Sequence, residues 1–247
     1  MQVVMIRVGI DTGAGGIHGP VFADGSFEFI PIPDRFGKSK AGVDLRTYGT
    51  TQGRKGRPLI DYFPARQRGK YRDQSIHFDP EFETFTYGDP GQLKSRLRTL
   101  ENGDLLVLYA GLRGWDFPCD PALYIIGFFS VSWAGLPEGL GKMLGTADWR
   151  GHFSKNFHVR HDVVFEDQKD RLVLVKGDQA KSRLLTSAVR ISAEGSDRSG
   201  RPIHILSPDM QAIFSDFGGR VCINRSPPRW VPSAFAATAA EFVTSLK

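Results

Sequence analysis

Cysteine is nearly absent from this chain: Cys119 and Cys222 are its two thiols in 247 residues. That excludes a disulfide scaffold, and the two lack the paired spacing of a Cys-rich zinc site, so unpaired thiols are expected. Long apolar runs are also missing. No stretch approaches the roughly 20 residues of a membrane-spanning helix, and the start, MQVVMIRVGID, has neither the basic residues nor the apolar segment of a secretory signal. A cytoplasmic protein without membrane contact is expected. Repeats and low-complexity tracts are absent, and nothing in the composition marks a boundary, so residues 1–247 read as one domain with an ordinary apolar fraction of 40%.

Three familiar loop signatures are lacking as well. No Lys-Ser or Lys-Thr pair follows the glycines near residue 13 at the distance a Walker A loop requires. The six residues from Gly13, G-A-G-G-I-H, lack the third glycine of the dinucleotide fingerprint, and turn residues follow where a helix should begin. Asp11-Thr12-Gly13 suits an aspartic protease, but no second D-T-G or D-S-G supplies the partner carboxylate.

What is present is concentrated in Arg7 to Asp34. Val3 to Ile6 is continuously apolar, as in a buried strand, and it leads into Asp11 and a loop containing Gly13, Gly15, Gly16 and Gly19. Glycines permit unusual dihedrals and close ligand approach, and backbone N–H groups in such a loop can face an anion. Asp24-Gly25 signals a turn, Phe27 and Phe29 alternate with polar residues, and Pro31-Ile32-Pro33-Asp34 ends a second strand.

The net charge of +5 is unevenly spread. Residues 35–72 hold most of the excess, with Arg54, Lys55, Arg57, Arg66, Arg68 and Lys70 among their basic residues and Tyr48, Tyr62, Phe63 and Tyr71 interleaved. Cations that neutralise phosphates beside aromatic faces that stack on bases suit nucleic acid, so these six are the expected nucleic-acid contacts; a solvated surface loop is the bland alternative. The aperiodic stretch from Phe36 to Gly69 reads as a long, partly mobile insertion.

Beyond it, Gly91 to Leu100 has helical leucine spacing, and Leu105 to Tyr109 with Leu123 to Val131 forms an antiparallel strand pair. Val159 to Phe165, Leu172 to Val175 and Leu184 to Ile191 read as further strands. Val221 to Ile223 reads as another, after a short helix from Ser207-Pro208 toward Phe217, and Pro232 to Leu246 reads as a terminal helix. Residues 192–247 are thus a C-terminal helical extension packed on the same domain. The fold class expected is α+β: a strand-rich mixed sheet or a PUA-like barrel core with a few peripheral helices.

Several of these motifs together resemble one family. Arg7, Gly9, Asp11, Gly15, Gly16, Pro20, Asp24-Gly25 and Ile30 to Asp34 are similar to the third of the nucleotide-modification-associated domain families. So are Ile76 to Pro80, Gly103-Asp104, Ile125 to Gly127, and Asn156 with His158, over about residues 1 to 190. The resemblance implies a protein of a DNA or nucleotide base-modification system, with roots in bacterial and phage gene neighbourhoods. Its implied partners are DNA or a nucleotide and other proteins of such a system; it names no cofactor. The strand pair G-D-L-L-V-L-Y and Y-I-I-G-F-F-S-V also looks like strands of EVE and ASCH barrels, relatives of the PUA fold, which bind modified or flipped bases.

The chemistry is expected from a few side chains. Asp11 can accept a base N–H, orient a sugar hydroxyl or act as a general base, and Arg7, four positions earlier, can pair with it. His77 and Asp79 form an H-x-D pair suited to acid–base work or metal binding. Arg7, Asp11, His77 and Asp79 are the expected catalytic set. Gly13, Gly15, Gly16 and His18 are expected to hold phosphate or sugar, and Asn156 and His158 to contact a base edge or sugar. His152, His158 and His161 match no zinc spacing, and no firmly bound metal is expected. Catalysis, reading of an already modified base, and docking of DNA to a separate enzyme all stay open.

Overall fold

The computed structural model describes residues 1–11, 16–34, 45–144, 149–197, 199–221, 223 and 227–247. Val3–Arg7 forms β1, buried at all five positions, as its unbroken apolar run requires. Gly19–Val21 (β2) and Ile32–Pro33 (β3) follow, then helix α1 (Ala65–Tyr71) and the short strands β4 (Ile76–His77) and β5 (Thr86–Asp89). The long strands β6 (Leu105–Gly114) and β7 (Ala122–Gly135) form the centre. Helices α2 (Pro137–Leu144), α3 (Phe157–Arg160) and α4 (Asp162–Gln168) lead to β8 (Val173–Gly177) and β9 (Arg183–Arg190). The chain closes with β10 (Ser192–Ser196), β11 (Pro202–Leu206), α5 (Pro208–Phe214), β12 (Arg229–Trp230) and α6 (Ser233–Ser245).

The main sheet runs β12-β1-β6-β7-β8-β5, with β2 added to β6 and β9 to β7. Its end strands do not meet among the described residues, so the architecture is the mixed sheet of an α+β fold rather than a PUA-like barrel. Gly127 marks a register shift where β9 comes close: a Cβ there would lie 2.5 Å from Arg183 O. Among the described residues no helix is long and apolar enough to cross a membrane.

Each central strand is served by two partners in succession, and this creates the site. The first half of β6 pairs in parallel with β1, Val3↔Leu105 to Arg7↔Tyr109. Its far end pairs with β2, Gly19↔Leu112 to Val21↔Gly114. Between them the chain leaves the sheet at Gly9, whose φ of +72° and close neighbours, Phe29 Cε2 at 2.9 Å and Ile30 O at 3.1 Å from a built Cβ, admit no side chain.

Composition suggests a partly mobile insertion at 36–69; in the structure residues 45–72 pack into the domain. Tyr48, Tyr62, Phe63 and Tyr71 turn inward with Leu59 and Ile60 to build a second core against Ile10, Ile17, Ile30 and Ile76. Burial of four aromatic rings yields more than leaving them in water for base stacking. Glu28, itself 1% exposed, ties the loop down by accepting hydrogen bonds from Arg54 N at 2.7 Å, Lys55 N at 2.6 Å and Tyr62 Oη at 3.3 Å. Residues 35–44 lie outside the described part.

Four local readings are corrected. Val159 to Phe165 falls in two short helices that break at His161: Asn156 caps α3, its Oδ1 accepting from His158 N at 3.0 Å, and Val164, Phe165 and Gln168 are buried on one face of α4. Gly91 to Leu100 contains a 3-10 helix, Gln92–Thr99, which leaves Leu93 exposed and buries Leu97. Residues 27–31 form no strand of their own; a single bridge, Val21↔Phe27, precedes β3. The C-terminal segment is not purely helical either, since β10 and β11 pair as a hairpin and β12 joins the main sheet beside β1.

Candidate functional site

The end of β1, the β3–β4 pair, the last residues of β5 and the helices α3 and α4 enclose a cavity of about 570 Å³. That is within the range of small-molecule sites, roughly 300–1,000 Å³. Arg7, Asp11, His77, Asp79 and His158 all line it, so residues up to about 150 positions apart in the chain converge. Ile10, Ile32, Pro33 and Tyr71 add apolar surface to the lining, and Tyr87, Asp89 and Lys94 form a further polar network.

Arg7 is the last residue of β1, and the bend at Gly9 brings Asp11 back to it: Nε and Oδ2 lie 2.9 Å apart, with 10% and 5% of the side chains exposed. The pairing expected from their spacing is present, although the backbone between them bends instead of continuing as a strand. Gly111 of β6 backs the pair, a Cβ there lying 3.3 Å from Arg7 Nη2 and from His18 Cδ2. His18 therefore sits behind the ion pair and outside the cavity lining. Burial lowers its imidazole below the ordinary value, with Asp11 pulling upward and Arg7 downward.

The second group is built from three elements. His77, on β4, stacks on the Phe157 ring at 3.9 Å and 25°. His158, on α3, turns its Nε2 to within 3.1 Å of His77 Nε2, and its Nδ1 lies 2.6 Å from Gln168 Oε1 on α4. Asp79 is buried; its Oδ1 accepts from Gly88 N at 2.9 Å, and its Oδ2 lies 3.8 Å from His158 Nε2. Gly88 is needed for this closeness, since a Cβ there would meet His158 Cδ2 at 2.7 Å.

Burial sets the electrostatics here. It pushes the His77 imidazole well below its usual value, and the neighbouring His158 and Lys94 push in the same direction. It pushes the Asp79 carboxyl up to about 6, although His158 and the Gly88 N–H favour the charged form. The pair His77 and Asp79 thus combines a neutral imidazole with a carboxyl that changes charge near neutrality, the condition for proton transfer.

A family-model comparison matches residues 2–244 to nucleotide modification associated domain 3. The chain belongs to this family. Comparison with curated proteins and with solved structures finds no match. The nucleotide modification associated domain covers nearly the whole chain, including the strand, the bend and both polar groups that line the cavity.

Other expected site residues fall elsewhere. Asn156 is fully buried behind the cavity, where its Nδ2 reaches Thr86 Oγ1 at 3.3 Å and Asp79 Oδ1 at 3.5 Å; its visible work is to hold His158 and Asp79. Gly16 has φ +76° and open space around it, and Gly13 and Gly15 lie outside the described residues. Of the basic set, Arg68 is bound to Phe63 O at 3.0 Å and Asp61 O at 2.7 Å, and Arg54 to Leu185 O at 2.9 Å. Lys55 meets Asp24 at 3.3 Å. Arg57, Arg66 and Lys70 are exposed, and the Lys70 ammonium lies 5.1 Å from the ring centre of Tyr71, which lines the cavity.

Sequence reasoning missed Gln168, Tyr87, Asp89 and Lys94. Lys94 Nζ donates to Asp89 Oδ2 at 2.7 Å and to Tyr87 Oη at 2.6 Å, a network assembled from the end of β5 and the following 3-10 helix. The one available signal was the i, i+5 placement of Asp89 and Lys94, which no common motif uses. Gln168 gives no signal at all, because its role depends on α4 folding back on α3.

Proposed function

We propose that the protein takes a nucleotide or an unstacked DNA base into the cavity and takes part in its modification. The observation that carries this reading is the shared cavity: the Arg7–Asp11 ion pair and the His77–Asp79–His158 group line one space of nucleotide size. In the proposal the planar base lies against the apolar surface of Ile32, Pro33 and Tyr71, and Arg7 and Lys94 supply positive potential for phosphate. Asp11 orients a base N–H or sugar hydroxyl, and His77 and Asp79 stand at the reacting group, where in the metal-free protein they can move a proton. Arg57, Arg66 and Lys70, exposed and outside the cavity lining, contact the backbone of a DNA substrate.

Membership of the nucleotide modification associated domain family supports the substrate class. Mass spectrometry of nucleosides from cells expressing the protein tests it, with Asp11→Ala as control. An altered nucleoside that disappears in the variant is the expected result. Unchanged nucleosides with tight binding of a modified oligonucleotide would make the protein a reader, and failure to bind either DNA or nucleotides would overturn both readings.

A further inference from the structure

His77, Asp79 and His158 present one donor atom each, and these three atoms lie within 4.8 Å of one another at the cavity wall. Gln168 Oε1 is an acceptor, so the His158 Nδ1 2.6 Å away carries its proton and the Nε2 of the neutral ring holds a lone pair. That lone pair points at His77 Nε2, 3.1 Å distant. Two imidazole lone pairs converging at this range repel one another unless something positive stands between them, either a proton on His77 or a cation.

The spacing, which a hydrogen bond also satisfies, suits a cation. Two nitrogens 3.1 Å apart, each about 2.05 Å from one ion, subtend about 100° there, between the octahedral and tetrahedral angles. Asp79 Oδ2 is 3.8 Å from His158 Nε2, close enough for one ion to reach both atoms. The surroundings are those of a held ligand set. Gln168 fixes the His158 ring, Gly88 N and Asn156 Nδ2 hold the other Asp79 oxygen, and Phe157 stacks on His77.

We propose that His77, Asp79 and His158 bind one divalent transition-metal ion of the zinc or cobalt type, through two imidazole nitrogens and one carboxylate oxygen, with its remaining positions open to the cavity. Two imidazoles with one carboxylate favour such ions over magnesium or calcium, which take oxygen ligands. This replaces the expectation, drawn from sequence spacing, that no metal is firmly bound. A use for the ion, as a seat for a water or a phosphate oxygen, rests on the nucleotide reading; the binding itself does not.

The test uses the full chain stripped with a chelator and titrated with Zn²⁺ or Co²⁺ alone, followed by calorimetry and metal analysis. One ion per chain is expected, with affinity lowered at least tenfold in Asp79→Asn and His158→Gln, and about 10–100-fold in Gln168→Ala, which keeps all three donors. In the unaltered protein with ¹⁵N-labelled histidine, the metal should shift the His77 and His158 ring signals and leave those of His152 and His204 in place. Equal shifts at all histidines, or none, would overturn the site whether or not the variants fold. Nucleotide binding is measured separately on the chelated protein and on the metal-loaded protein. Nucleotide bound without any metal uptake refutes the ion and spares the nucleotide reading; metal uptake with no nucleotide bound in either form does the reverse.

Discussion

Arg7 and Asp11 meet at 2.9 Å across the bend at Gly9, in an ion pair almost closed to solvent. Removing one partner leaves a buried charge without its counter-ion, whose cost, about 3–5 kcal/mol, exceeds what the intact pair contributes. Arg7→Ala or Asp11→Ala should therefore destabilise by that order in urea unfolding. The double variant Arg7→Met, Asp11→Leu should recover much of the loss while abolishing nucleotide binding. Equal destabilisation in the double variant would show that shape, not charge pairing, is what matters here.

Gly88→Ala tests how tightly the second group is built. The added methyl lands 2.7 Å from the His158 ring and 3.1 Å from Asn156 Oδ1, so ring or strand must shift. A loss of about 1–3 kcal/mol is expected from overpacking, with displaced His158 signals in NMR spectra. Gly16→Ala, at an open position, should leave those signals unmoved.

Two kinds of basic side chain are separable within the 45–72 segment. Arg57, Arg66 and Lys70 are exposed, so replacing all three by Ala should weaken DNA binding with little change in unfolding. The dependence of binding on log salt should flatten by about 0.9 for each phosphate that is no longer neutralised. Arg68→Ala should do the opposite, because its guanidinium holds two carbonyl oxygens of the loop before α1. Filter binding across a salt series, beside thermal melts, distinguishes them.

The His18 imidazole is lowered by burial, so the folded protein binds fewer protons there than the unfolded chain does. Its contribution to stability is complete above the unfolded value of about 6.5 and is lost as pH falls through that value toward the folded one. Denaturation midpoints should fall between pH 7 and pH 5, with a shallower slope in His18→Gln. An unchanged slope would mean that other groups, such as His77 and His204, whose imidazoles are also lowered, carry the dependence.

Glu28 accepts two backbone N–H bonds from the loop at Arg54 and Lys55. Glu28→Gln turns one acceptor into a donor facing those groups, and should cost on the order of 1–3 kcal/mol and open the loop to proteolysis near residue 55. Protection equal to that of the unaltered chain would show that the aromatic core alone holds the loop.

The local pattern of residues determined the buried strand β1, the β6–β7 pair, the terminal helix and the family likeness, because continuous apolar runs and cap or turn residues act over a few positions. It also set Arg7 four positions before Asp11 and His77 two positions before Asp79, whereas the bend at Gly9 that closes the ion pair belongs to the tertiary structure. Only the tertiary structure decided that 45–71 turns its aromatics inward, that 157–168 is helical, and that β6 is shared between β1 and β2 so as to open the site. It alone brought His158 and Gln168 to the H-x-D pair. The physical reason is that burial and ligand-like convergence are summed over interactions between distant segments, and no window of neighbouring residues contains that sum.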